Sequence, residues 1–197
     1  MTRSYRIAFA SLLLLVACSK PTPPLSLLYA TVLETPRPLA QFQLLDQHGQ
    51  AFSNHDLLGS WSIVFSGFTY CPDICPLTLG QLQAAEQQMT SAKAHKVIFI
   101  TVDPERDTPA SLQQYLHWFD ADWIGVTGAS SELSNLLDSL GLAQVRIPAT
   151  QDDNYSIEHS TAIVLINPQG QMAGYWKAPL VTTQLAADFS ALPAALD

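Results

Sequence analysis

Apolar strand-like runs alternate with helix-period segments, then give way to a hairpin and a last helix. That order predicts an α/β domain, a mixed central sheet with helices on both faces. Three observations carry the prediction. Lys96-Val-Ile-Phe-Ile-Thr-Val-Asp103 is almost continuously apolar, the mark of a strand buried on both faces. Ser62 to Phe65 is a second such run, and from Leu77 to about Met89 the pattern changes to a helical period. Near the end, Asn167-Pro-Gln-Gly170 is a turn signal between Thr161–Ile166 and Gln171–Trp176, which pair back on each other as a hairpin.

The elements follow in order. Arg3 and Arg6 precede an apolar run of ten residues, Ile7 to Val16, too short to span a bilayer but suited to a secretory signal. The run ends in Leu15-Val16-Ala17-Cys18, which resembles a bacterial lipobox. Residues 1–17 are then a lipoprotein signal peptide and Cys18 is the lipidated residue. The plainer alternative is an ordinary cleaved signal with Cys18 incidental. Residues 18–38 read as anchor site and linker, extended and semi-rigid through Pro21, Pro23, Pro24, Pro36 and Pro38. Residues 39–197 are the folded domain, which opens with a β-hairpin, Gln41 to Phe52, turning at His48-Gly49. Ser53 or Asn54 caps a short helical turn that Gly59 ends. After the strand at Trp61 comes a loop with Cys71 and Cys75, then a helix to about Lys93. Thr108-Pro109 opens the next helix, with proline at its first turn. Trp123 to Val126 is a short strand, and Ser130 to Leu140 a helix stopped by Gly141. Residues 143–158 read as irregular and polar. Thr182 or Thr183 starts the last helix.

Composition bounds function. The chain has 197 residues, 48% hydrophobic and 13% charged, which suits one folded domain stabilised by a core. Its net charge is −8, and loss of Arg3 and Arg6 with the leader leaves −10. Binding to nucleic acid or anionic lipid by charge is thereby disfavoured. Three cysteines are an awkward number for an exported protein. If Cys18 carries lipid, Cys71 and Cys75 remain as one pair, free to cycle between dithiol and disulfide or to bind metal. Taken alone the pair admits a structural disulfide, a redox pair or a metal site. Cysteines at the first strand-to-helix junction of such a domain suggest the thioredoxin-like fold, with the loop at the carboxyl edge of a central strand, where open α/β sheets bind ligands.

Four segments then occur in a telling order: Phe68-Thr-Tyr-Cys-Pro-Asp-Ile-Cys-Pro76, Thr101-Val-Asp-Pro-Glu-Arg-Asp-Thr-Pro109, Gly125-Val-Thr-Gly128 and Ile157-Glu-His-Ser160. In these the chain resembles the Sco/SenC family of copper-binding, thioredoxin-like proteins tied to cytochrome c oxidase assembly, from Leu39 to about Phe189. The resemblance implies copper, as Cu(I) or Cu(II), held by Cys71, Cys75 and His159. It implies a metallochaperone that delivers copper to, or primes the thiols of, the binuclear copper site of cytochrome c oxidase subunit II. Such a protein turns over no small substrate. Two departures stand out: many relatives use a transmembrane helix where this chain carries Cys18, and Glu158 stands where relatives commonly place Asp.

The chemistry agrees. Thiolates suit copper(I), and an imidazole nitrogen also suits copper(II). A helix N-terminus after the loop favours thiolate character. The rival reading is a membrane-tethered thiol–disulfide oxidoreductase using Cys71 and Cys75 as its redox pair, with a thiol reductant as partner. Asp103, at the end of a central strand, is a candidate for supporting the ligands or contacting a partner; alternatively Asp103 and Asp107 merely cap the helix near Thr108. His48, His55, His95 and His117 read as ordinary histidines of turns or polar helix faces. The expected location is the bacterial cell envelope, lipid-anchored to a membrane, with the domain facing the periplasm or extracytoplasmic side.

Overall fold

A computed structural model describes residues 25–148 and 155–193. Cys18 and residues 1–17, read above as a signal peptide, lie outside the described residues. The centre is β4 (Trp61–Gly67), whose seven residues are all buried, beside β5 (His95–Thr101) in parallel register, Phe65 opposite Phe99. β6 (Ile124–Thr127) continues the parallel block. On the other side, β9 (Ile163–Ile166) pairs antiparallel with β4, and β10 (Gln171–Trp176) antiparallel with β9. The predicted hairpin is present as β2 (Gln43–Asp46) and β3 (Ala51–Ser53), and β2 joins the sheet through β6. Helices α1 (Ile74–Gln87), α2 (Pro109–Leu116), α3 (Ser130–Ser139) and α4 (Thr182–Ala191) flank the sheet; α1 packs on α4, and α2 on β6. The mixed, helix-flanked sheet is the one expected. No helix among the described residues is long and apolar enough to cross a membrane.

Two segments differ from the expectation. Residues 31–38, read as linker, form β1 (Thr31–Pro38), the edge strand beside β10. Pro36 and Pro38 hid it; a proline is tolerated where a strand needs no donor on its outer side, and the pairing shifts register between Val32 and Arg37. The chain ahead of β1 is also fastened. Asp188 of α4, almost fully buried, accepts the backbone N–H groups of Leu28, Tyr29 and Ala30 and the indole N–H of Trp176.

The second difference bears on the site. Within 143–158, read as irregular, β7 (Gln144–Pro148) and β8 (Tyr155–His159) form a two-stranded antiparallel ribbon outside the main sheet. Tyr155, Ile157 and His159 face the domain while Ser156 and Glu158 are exposed, the period-2 alternation of a half-buried strand. The ribbon's base is closed by Ser160, whose N–H donates to the carbonyl of Ala143 and whose hydroxyl accepts the Ala143 N–H.

Candidate metal centre

β4 delivers the chain to a tight loop, and α1 starts inside the motif. Helix α1 begins at Ile74, so Cys75 sits in its first turn instead of before it. The first N–H groups of a helix lack intrahelical partners. Asp73, at the N-cap, provides no side-chain cap; the N–H of Cys75 donates instead to the sulfur of Cys71 at 3.4 Å. Pro76 falls where a missing N–H costs nothing. The sequence thus spends the helix start on positioning two sulfurs. Both cysteines are free thiols; Cys75 is fully buried and Cys71 is 9% exposed.

His159, at the end of β8, completes the group. Its Nε2 lies 3.3 Å from the sulfur of Cys75, and one donor atom from each of Cys71, Cys75 and His159 falls within 4.8 Å of the others. Nδ1 is 2.9 Å from the carbonyl oxygen of Ser160, which only accepts, so Nδ1 carries the proton and Nε2 presents its lone pair to the sulfurs. Phe65 and Phe68 hold the ring edge-on, each with centroids 6.0 Å away. Burial lowers the pKa of His159 and, more strongly, raises that of the Cys75 thiol. The resting site is therefore a neutral imidazole beside a protonated thiol. A soft cation would find two sulfurs and one nitrogen and would have to displace protons.

The walls of the site are as specific as the donors. At Gly67 a Cβ would lie 2.8 Å from the sulfur of Cys75 and 2.9 Å from the Phe99 ring, so only glycine leaves room for that sulfur. Asp107 clamps the cysteine loop: its buried carboxylate accepts the N–H and hydroxyl of Thr69 and the hydroxyl of Thr101. Burial raises its pKa against those hydrogen bonds. The cap of α2 is Thr108, so Asp107 is not the helix cap it resembles in sequence.

Asp103 touches none of the three donors. It accepts the hydroxyl of Tyr155 at 2.6 Å and pairs with Arg106. Tyr155 is held from both sides, with the Arg106 guanidinium 3.9 Å and the Arg146 guanidinium 3.5 Å from its ring centre, and Arg106 also donates to its carbonyl. Burial, then the bond to Asp103, pushes the Tyr155 hydroxyl up to about 12, so it remains a donor. Arg146 is fixed in turn by Glu105. This Tyr155 latch ties the far end of β8 to the domain; at the near end the Ser66 hydroxyl of β4 donates to the Ser160 carbonyl, and the chain runs on from His159 into β9. Tyr155, Arg106 and Gly67 escaped the reading of the sequence, and Asp107 reads there only as a helix cap, although Arg106 and Asp107 stand inside its quoted motif. His95 also differs: it opens β5, and its fully buried side chain bonds to Glu86 of α1. His48, His55 and His117 are exposed.

Fold and site together define a thioredoxin-like protein with a dithiol–imidazole centre able to hold a soft metal ion. The chain belongs to the SCO1/SenC family, whose model matches residues 31–192. A Stutzerimonas stutzeri protein, whose given name proposes copper binding, is 40% identical over 177 residues, 86% of each chain. Among solved structures, Arabidopsis thaliana ScoI with copper bound is 30% identical with a TM-score of 0.70, over 75% of this chain and 92% of that one. Bradyrhizobium japonicum ScoI with copper bound is 32% identical with a TM-score of 0.69, over 77% and 97%.

Proposed function

We propose that this protein is a copper carrier: Cys71, Cys75 and His159 hold copper as cargo, and the domain passes it to the binuclear copper site of cytochrome c oxidase subunit II. The observation that carries the reading is the convergence of two sulfurs and an oriented imidazole nitrogen within 4.8 Å. Two relatives of the same fold have copper bound. Loading copper(I) displaces one proton from each thiol and leaves the imidazole neutral. Hand-over exchanges ligands without a change in oxidation state, and the protons shed by the acceptor's thiols return to Cys71 and Cys75. Cys18, with a lipid on its thiol, holds the domain at the outer face of a bacterial membrane.

The test is copper titration of the reduced mature chain beside Cys71→Ser, Cys75→Ser and His159→Ala. Each cysteine variant should lose tight copper(I) binding, and His159→Ala should lose the nitrogen signal from the copper(II) spectrum. Unchanged copper(II) affinity and spectrum in His159→Ala would refute the three-donor site. For the anchor, a Cys18→Ser form that remains in the membrane fraction contradicts lipidation.

The arrangement of the sulfurs also favours a second use, thiol–disulfide exchange that prepares the acceptor's cysteines for copper. Cys71 is the more exposed sulfur and receives the helix N–H of Cys75. Its thiolate would attack an acceptor disulfide and release one acceptor thiol. Cys75 would then displace the second, leaving a Cys71–Cys75 disulfide and a two-electron-reduced acceptor. Catalytic disulfide reduction by wild type that binds no copper would make this the main function.

A further inference from the structure

Two of the donors, Cys71 and His159, form the floor of a groove of about 460 Å³ between the start of α1 and the ribbon, lined also by Phe68, Asp73, Ile74 and Glu158 among others. One wall of it is a strand edge. The Ser160 N–H bonds to the carbonyl of Ala143, and β7 and β8 pair Val145 with Glu158 and Arg146 with Ile157. In an antiparallel pair the residues that bond across alternate with those that face away. Ser160, Glu158 and Ser156 therefore bond to β7, while His159, Ile157 and Tyr155 turn their backbone groups outward. Arg106 reaches the Tyr155 carbonyl on that outward side. Beyond it, no hydrogen bond among the described residues occupies the outward groups of Ile157.

The remaining surface is selective. Tyr70 (67% exposed), Ile74 (37%) and Leu77 (54%) make an apolar rim beside the cysteines. Asp73 and Glu158 are exposed on opposite walls, and neither is in an ion pair among the described residues. A free strand edge recruits an extended chain by main-chain hydrogen bonds, with side-chain pockets supplying the choice of sequence.

We infer that this groove docks an extended segment of the copper acceptor along the outer edge of β8, with one cysteine over the Cys71–His159 floor and lysine or arginine between Asp73 and Glu158. The assignment rests on the copper-carrier reading and names the partner chemistry of that site. An added strand places a thiol of the acceptor beside the donors without moving the ribbon, so ligand exchange begins from a bound register. The two unpaired carboxylates select a basic segment.

The probe is a capped pentapeptide, Lys-Val-Ser-Val-Lys, in which serine replaces the thiol so that no disulfide can form. It is titrated at low salt into the isotope-labelled, reduced mature chain, beside Glu-Val-Ser-Val-Glu and an N-methylated form of the basic peptide. The basic peptide should shift the amides of Ile157 and His159 and slow their exchange. The acidic peptide should bind roughly 3–10-fold more weakly, the range expected for two exposed charge pairs. The N-methylated peptide, stripped of donors, should lose binding by a similar or larger factor. Equal binding of all three, shifts confined to other surfaces, or no shifts at all would each overturn the inference. Copper titration of wild type is scored separately: copper bound without docking overturns the groove alone, whereas no copper bound overturns the reading beneath it.

Discussion

Changing Tyr155 should loosen copper at a site that its side chain does not touch. Tyr155→Phe keeps the ring between Arg106 and Arg146 and removes the 2.6 Å hydrogen bond to Asp103. A hydrogen bond to a charged acceptor contributes about 1.5–3 kcal/mol; the lower end applies because the ribbon is partly open to water. Tyr155→Ala removes two guanidinium–ring contacts as well, each worth about 1 kcal/mol. If that energy serves to hold the ribbon closed, opening it taxes copper binding in proportion to the closed fraction. The upper limits are then roughly 10-fold weaker copper for Tyr155→Phe and a few hundred-fold for Tyr155→Ala, taking 1.4 kcal/mol per factor of ten. Copper(II) titration with nitrogen hyperfine structure as readout measures both affinity and the presence of His159. The main sheet does not include the ribbon, so the thermal midpoint of the apo-protein should fall by only a few degrees. Wild-type copper affinity and an intact nitrogen signal in Tyr155→Ala would refute the latch.

Two further outcomes follow from the same site. Gly67→Ala should cost at least tenfold in copper affinity, because its Cβ would meet the Cys75 sulfur at 2.8 Å and Phe99 behind it is itself buried; a variant that binds copper like wild type would mean the sulfur is free to move. In the copper-free protein, His159 has a pKa lowered from 6.5 by burial and Cys75 has one raised from 9.0. Between the folded and unfolded values the unfolded chain binds more protons at His159, so stability falls as pH drops below about 6.5, by at most about 1.4 kcal/mol per pH unit. Above pH 9.0 the unfolded chain sheds the Cys75 proton first, so stability falls there too. Urea midpoints across pH should show both slopes, with His159→Gln reducing the acid one and Cys75→Ser reducing the alkaline one, most clearly between pH 9.0 and 10.0, above which Tyr115 and Tyr155, both raised by burial, add to it.

The sheet was legible in sequence because its central strands have no polar face to disguise them: every residue of β4 is buried, and the apolar run says so. The cysteine pair was legible from type and spacing. His159 was not; 84 residues separate it from Cys75, and only resemblance to a family placed it. The ribbon that carries it was missed for a physical reason. β7 turns Val145 and Ile147 outward, 57% and 39% exposed, and ends in Pro148, so its alternation does not mark a core-facing strand. Tyr155-Ser-Ile-Glu-His159 does alternate, but its partner strand lacks the usual signal. Asp107 and His95 illustrate another limit. A polar residue beside a helix start or in a short loop reads as solvated until the fold closes over it, and burial then makes its hydrogen bonds obligatory.

The grip of Asp188 on residues 28–30 has a consequence for height above the membrane. With Cys18 as the proposed lipid attachment, the chain is first fastened to the domain at Leu28, ahead of Leu39. Ten residues, fully stretched, reach about 35 Å, whereas twenty-one would reach about 70 Å. A domain anchored at Cys18 would be a short-leashed float, its metal offered only within a thin shell above the bilayer. An acceptor would then have to bring its vacant copper site down into that shell.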